Sequence, residues 1–312
     1  MSDKSIKIIF FGNTEFSNPV LLKCAESYNV CSVVTNPSKK MGRGQKFVDT
    51  PVKILANNSN LEIIECDNLL DEGFIKKLKD VNPDLFVVVA YKILPKSLLG
   101  IPKYGAINLH SSLLPKYRGA APIQRAILNK EKITGVSTFL IEPKVDTGKI
   151  IEQEKCKIDE EDNYGTLSEK LSHIGADLVI SSIKKYLSKK IQPYLQDESL
   201  VTLAPKIIKE EFLIDWNKEG SDINAQIKAF SPYPGAYTFL NGKRIKFFQS
   251  ELINSQSSNK PGYIDAVTPN FFDIACTKGS LRIYKVQIEG KKIMDAKDFI
   301  LGMPTLKDSR FS

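Results

Sequence analysis

Histidine is the scarcest chemically active side chain in this sequence: among 312 residues only His110 and His173 occur, so any imidazole chemistry has two candidates. Cysteine is sparse and unpaired by pattern. Cys24, Cys31, Cys66, Cys156 and Cys276 are odd in number and show no C-x-x-C spacing, which argues against a disulfide framework or a zinc site and for reduced packing residues. Long apolar runs are missing too. The longest nearly unbroken one, Leu85 to Ala90, falls far short of the roughly 20 residues a spanning helix needs, so no membrane segment is expected. The apolar stretch Ile6 to Phe11 is interrupted by Lys7, preceded by Asp3 and followed by no small-residue cleavage pattern. That disfavours a secretory signal and leaves the cytoplasm as the expected location. The turn Gly12-Asn13-Thr14 after this stretch holds one glycine where a dinucleotide fingerprint needs three, and no P-loop sequence occurs. Nicotinamide and ATP roles are therefore disfavoured.

What is present suits a folded chain. Hydrophobic residues make up 42% and charged residues 26%, with 16 Phe and 11 Tyr, enough to bury a core and to argue against disorder. The length favours two domains. In the first half, strand-like runs alternate with helical stretches, the grammar of parallel βαβ units. Strands are expected over Ile6 to Phe11, Val30 to Thr35, Leu61 to Ile64, Leu85 to Val89, Gly105 to Leu109, Val136 to Ile141 and Ile150 to Cys156. Asn18-Pro19 and Thr50-Pro51 start the first two helices, and others run through Phe74 to Leu78, Ile123 to Leu128 and Thr166 to Lys189. Residues 1–190 read as one doubly wound, mostly parallel α/β domain. An extended connection follows over 191–206. Residues 207–312 hold a helix from Asp222 to Ala229 and five short strands, Ala236 to Leu240, Arg244 to Gln249, Tyr263 to Val267, Phe271 to Ala275 and Leu281 to Ile288. With Asn241-Gly242 as a hairpin signal, they predict a small β-barrel or sandwich, and the polar stretch Asn254 to Lys260 reads as a loop tip.

Of the two histidines, His173 falls in the long helical stretch, where a structural or solvated role is expected. His110 ends the strand Ala106-Ile107-Asn108-Leu109-His110, and parallel α/β sheets place ligand sites at the carboxyl ends of strands. Alternation points Asn108 and His110 to one side. An amide donor beside an imidazole is suited to polarising a carbonyl and moving a proton, although spacing alone also allows a histidine that is simply packed. The turn-rich loop Ser111 to Pro122 follows directly, either as a plain connector or with Leu113 and Leu114 lining a slot for a flat ligand. Asp146 lies in Lys144-Val145-Asp146-Thr147-Gly148. An aspartic protease needs two such carboxylates, so an aspartate that holds a histidine is the better reading.

Taken together, Ile107-Asn108-Leu109-His110, Ser112-Leu113-Leu114-Pro115, Tyr117-Arg118-Gly119-Ala120-Ala121-Pro122-Ile123-Gln124 and Asp146-Thr147-Gly148 resemble, in this order and spacing, the folate-dependent formyltransferases. The resemblance extends to Ile8-Ile9-Phe10-Phe11-Gly12, Gly42-Arg43-Gly44, Pro51-Val52-Lys53, Ile214-Asp215-Trp216 and Ala229-Phe230-Ser231-Pro232, nearly the whole chain. It implies a Rossmann-like catalytic domain and an OB-like C-terminal barrel that helps to hold tRNA. The implied reaction moves a formyl group from 10-formyltetrahydrofolate, the co-substrate, to the α-amine of methionine esterified to initiator tRNA. No metal is implied, and a monomer is expected. Asn108, His110 and Asp146 are the implied catalytic residues, and Ser112, Leu113, Leu114 and Pro115 the implied folate-binding loop. Two departures stand out: Ser111 replaces a glycine common in the family, and Ala90 to Pro95 is one residue shorter than the usual pattern. The competing readings are a formyltransferase for an amino-sugar nucleotide or other small amine, and a non-catalytic folate- or RNA-binding module.

Forty-four basic against 36 acidic residues give a net charge of +8, which hints at a polyanionic partner. Between Asn36 and Lys53, the bases Lys39, Lys40, Arg43, Lys46 and Lys53 face the single acid Asp49. Glycines on both sides of Arg43 suit a loop that orders on phosphates or an unpaired RNA end. The resemblance implies that this loop engages the tRNA acceptor stem, with Arg43, Lys39, Lys40 and Lys46 as candidate contacts. Lys243, Arg244 and Lys246 at the hairpin form a second candidate patch.

Overall fold

Apolar runs without polar alternation need cover on both faces, and here they form the middle of a seven-stranded sheet. The computed structural model describes residues 3–41, 44–253 and 259–312. The strands are β1 (Asp3–Gly12), β2 (Tyr28–Thr35), β3 (Ile63–Glu65), β4 (Leu85–Val89), β5 (Ala106–His110), β6 (Ile133–Leu140) and β7 (Ile150–Lys157), in spatial order β7-β6-β5-β4-β1-β2-β3. Ile8 to Phe11 and all of β4 are buried. β1 pairs in parallel with β2 and β4, and β4 with β5. Helices Asn18–Ser27, Pro51–Asn58 and Glu72–Val81 lie between these strands in sequence, the second capped by Thr50 and the third by Asp71. β6 runs against β5, and β7 against β6. The connection from Leu140 to Ile150 holds no helix that would carry the chain back for a parallel return, so it makes an antiparallel pair instead.

The chain divides into two compact units. The first comprises the residues up to Pro122, Ile133–Lys157 and Ser168–Ala204; the second comprises Ile123–Lys132, Ile158–Leu167 and Pro205–Ser312. Residues 191–204 are fastened to the rest of the first unit. Tyr194 exchanges backbone hydrogen bonds with Ile150 at 2.9 Å, and Leu203–Ala204 pairs in parallel with Arg118–Gly119. Gly119 has φ +126°, and a Cβ there would lie 2.6 Å from the Ala204 carbonyl oxygen, so only glycine allows this approach. A small hairpin, Lys39–Met41 against Lys46–Val48, stands within the segment that the sequence reads as a basic loop.

In the second unit, helix Gly220–Ala229 precedes β8 (Ala236–Leu240), β9 (Lys243–Ile253), β10 (Ile264–Val267), β11 (Phe272–Ala275) and β12 (Ser280–Ile288). They form one antiparallel sheet in the order β8-β9-β12-β11-β10. Asn241 and Gly242, at φ 50° and 74°, make the β8–β9 turn that the sequence announced. Residues 254–258 of the expected polar loop lie outside the described residues. Among the described residues no ladder joins β8 to β10 directly; the C-terminal tail does so. Phe239 and Ser312 exchange backbone hydrogen bonds at 2.9 and 3.0 Å, while Phe311 N donates to Gly262 O at 2.9 Å beside a Tyr263–Arg310 bridge. The closed sheet surrounds Trp216, Phe247, Phe272, Phe299 and Phe311, all buried, with the Phe272 and Phe311 rings stacked 6.1 Å apart. Phe299 arrives on helix Ala296–Leu301, an element too short for its period to show in the sequence. Phe311→Ala is expected to lower the stability of this unit by about 3–5 kcal/mol in urea unfolding. A loss below about 1 kcal/mol would mean that the tail does not support the closure.

Candidate active site

Asn108 is the partly exposed residue of β5, and His110 ends the strand buried. His110 Nε2 lies 2.9 Å from the Tyr117 carbonyl oxygen. A carbonyl only accepts, so Nε2 carries the proton and Nδ1 is the ring nitrogen left for chemistry. Asp146 Oδ2 stands 3.8 Å from Nδ1 and accepts from Gly119 N at 2.9 Å. At 3.8 Å the carboxylate pairs with the ring whenever it holds two protons, yet the gap is too long for a direct hydrogen bond. Tyr117 and Asp146 adopt φ of 60° and 54°. Side chains other than glycine rarely occupy this region, and such strain persists where the surroundings fix it. Among the described residues, no hydrogen bond engages Asp146 Oδ1 or the Asn108 side-chain amide.

The loop Ser112–Pro115 is built from within. Ser112 donates its hydroxyl to Lys116 O at 2.6 Å, while its carbonyl accepts from Ser137 Oγ at 2.6 Å. Leu114 packs on Phe139 and Ile150, and its carbonyl accepts from Gln153 Nε2 at 2.9 Å. Ser112 and Leu114 therefore peg the loop from below, and Leu113 and Pro115 are its partly exposed side chains. Tyr91, in the shortened Ala90–Pro95 segment, sets its ring against Phe11 with centroids 5.5 Å apart. Burial drives its phenol pKa well above the ordinary value, so the hydroxyl stays protonated.

The basic candidates fall in two places. Lys39, Lys40 and Lys46 are exposed on the small hairpin, with Lys40 5.5 Å from the ring centre of Phe47, itself 71% exposed. Arg43 lies outside the described residues. Lys53 turns inward and pairs with Asp49 at 2.9 Å and with Glu65, which removes it from the exposed charge of the segment. Lys243 and Arg244 are exposed beside the β8–β9 turn. Arg244 sits 3.6 Å from Glu289, and with Lys246, Gln287, Glu289 and Gly290 it lines a concavity of about 220 Å³. Lys246 is less free than expected, because its amine donates to Pro234 O at 2.6 Å, and burial, aided by Arg244, lowers its pKa.

His173 is exposed on helix Tyr164–Leu187. Cys24, Cys66, Cys156 and Cys276 are buried, and burial pushes the Cys24 and Cys276 thiols up to about 12, which leaves them inert. Among the described residues no group of three or more His, Cys, Asp and Glu is placed to hold a metal. No described helix is long and apolar enough to cross a membrane. The sequence reading missed Gln196 and gave Arg118 no role. These buried polar residues stand 78 positions apart and share no local pattern, so only the folded chain reveals them as partners.

The chain thus pairs an α/β domain, with its candidate site at the carboxyl end of a central strand, with a small antiparallel β domain. Residues 6–183 match the family described as formyl transferase, and residues 206–304 match the formyl transferase C-terminal domain. The chain is 44% identical over 297 residues to a methionyl-tRNA formyltransferase of Thermodesulfovibrio yellowstonii, covering 95% of each protein. It is 41% identical over 303 residues to one of Dictyoglomus turgidum, covering 95% of this chain and 96% of that protein. It also shares the fold of HypX from Aquifex aeolicus in complex with tetrahydrofolic acid, with TM-score 0.65 and 16% identity over 96% of this chain and 47% of that one. The chain belongs to the formyl transferase family, within its methionyl-tRNA formyltransferase branch.

Proposed function

We propose that this enzyme transfers the formyl group of 10-formyltetrahydrofolate to the α-amine of methionyl initiator tRNA. The observation that carries the reading is the match to methionyl-tRNA formyltransferases along 95% of the chain, at 44% and 41% identity. The site is chemically suited to it. An unengaged amide on Asn108 and the partly exposed Leu113 and Pro115 fit a flat, polar-edged ring system. The co-substrate supplies an activated formyl carbon. As the neutral amine bonds to that carbon, the Asn108 N–H and, when His110 holds two protons, its Nδ1–H donate to the formyl oxygen and stabilise its growing charge. Asp146 offsets the charge on His110 through Oδ2. Its free Oδ1 accepts the proton that the amine loses and returns it to the folate nitrogen as the old carbon–nitrogen bond breaks. The proton count closes without a metal. The two-domain partition, with a catalytic domain over 1–190, a connection over 191–206 and a tRNA-holding domain over 207–312, belongs to this reading.

To test it, the protein is incubated with 10-formyltetrahydrofolate and either methionyl-tRNA or uncharged tRNA, and the ester is hydrolysed for mass spectrometry. Formylmethionine from the charged tRNA alone is expected. Its absence, with formylation of an amino-sugar nucleotide in parallel, would favour the small-amine reading.

We assign tRNA contact to Lys39, Lys40 and Lys46, with Arg43, and to Lys243 and Arg244. Changing the three hairpin lysines to alanine is expected to raise KM for methionyl-tRNA at least about tenfold, with KM for the folate unchanged. The dependence of log KM on log salt should also become shallower by up to about three units of slope. An unchanged salt slope would remove these lysines from the interface.

A further inference from the structure

We propose that Gln196 is a positioning residue for Asp146; the proposal rests on the catalytic assignment given above. Gln196 lies between the two segments that match the family, 6–183 and 206–304, and is buried at 8% exposure. Its Nε2 donates to the carbonyl oxygens of Asp146 and Gly148, both at 2.8 Å. Its Oε1 accepts from Arg118 Nε at 3.0 Å and Nη2 at 2.7 Å. Two carbonyls only accept and a guanidinium only donates, so the amide has one orientation and both its N–H groups are used. Arg118, 7% exposed, is anchored on its other side by Glu198, with bonds of 3.1 and 2.7 Å. The bond from Arg118 holds the Glu198 carboxyl below its ordinary pKa.

This pin meets a turn that has no slack. Asp146 keeps the left-handed φ of 54°, and a Cβ at Gly148 would fall 1.6 Å from Leu140 O. The same stretch of chain also holds the opposite wall of the site. Thr202 Oγ1 accepts from Tyr117 N at 2.8 Å, while Tyr117 O faces His110; Leu203–Ala204 pairs with Arg118–Gly119, whose Gly119 N–H holds Asp146 Oδ2. Residues 196–204 therefore fix the carbonyl behind Nε2 and the carboxylate before Nδ1 from a single segment. Losing the Nε2 donor would leave two carbonyls of the turn unpaired and let Asp146 leave its strained conformation.

The test compares Gln196→Ala and Gln196→Glu with wild type in formyl transfer to methionyl-tRNA, alone and in an Asp146→Asn background. Gln196→Glu keeps the side-chain size and the acceptor for Arg118 but turns an oxygen toward the two carbonyls. Both single variants are expected to lose roughly ten- to hundredfold in kcat, with KM for both substrates within about threefold, as a misplaced catalytic group would give. In the Asp146→Asn background, Gln196→Ala should cost less than about threefold more, because the group it places is already disabled. Wild-type kcat in Gln196→Glu, or an undiminished loss on top of Asp146→Asn, would overturn the proposal. If Gln196→Ala does not fold, Gln196→Glu and its own cycle with Asp146→Asn decide. Absence of turnover by wild type would refute the functional reading instead.

Discussion

Replacing His110 with alanine is expected to lower kcat/KM for formyl transfer at least about a hundredfold, equivalent to about 2.7 kcal/mol of transition-state stabilisation. On the proposed assignment the two ring nitrogens do different work, and the change removes both. Nε2–H holds the Tyr117 carbonyl, whereas Nδ1 faces Asp146 and, in the proposed mechanism, the formyl oxygen. Amide replacements separate these contributions. Asparagine places a nitrogen near the position of Nδ1, and glutamine places one near Nε2, so His110→Asn should recover part of the rate by donating to the formyl oxygen. His110→Gln should restore the loop without the rate. Full activity in His110→Ala would show that the imidazole takes no part in catalysis.

The second large effect is expected for Asp146→Asn, again at least about a hundredfold in kcat. This substitution keeps the shape of the side chain, and its oxygen still accepts from Gly119 N, as Asp146 Oδ2 does at 2.9 Å. Two things are lost. The negative charge 3.8 Å from His110 Nδ1 disappears, and so does a base able to take the proton of the attacking amine. Because the turn is preserved, thermal stability should change little while turnover collapses. A variant that keeps kcat within a few-fold of wild type would reduce Asp146 to a packing element of the turn.

Part of the candidate site is legible in the sequence because two of its residues share one strand end. Asn108 and His110 sit on one strand two residues apart, and the strand-end position marks them as candidates. Asp146 was legible as a partner for histidine because its motif falls between two strand-like runs. The walls of the site were not. Gly119 N–H, the Tyr117 carbonyl and Gln196 act through backbone groups or through a contact across 50 residues, and no periodicity records such pairings. Charge counting had a similar limit. Lys53 contributes a formal charge to the basic segment, yet Asp49 and Glu65 take it up, and the exposed set is narrower than composition implies. In the fold, continuous buried strands such as Leu85–Val89 were plain. The six-residue helix Ala296–Leu301 and the tail that closes the β domain were not, because each is too short to carry a period and depends on distant partners.

The most direct test of the proposed function is a competition in one vessel: wild-type protein, 10-formyltetrahydrofolate, methionyl-tRNA and an amino-sugar nucleotide, with the initial rate of formylation followed for each acceptor. kcat/KM for methionyl-tRNA is expected to exceed that for the sugar amine by at least about a thousandfold, some 4 kcal/mol of discrimination, and both rates are expected to fall together in Asp146→Asn. Preference for the sugar amine, or methionyl-tRNA formylation indifferent to Asp146→Asn, would contradict it.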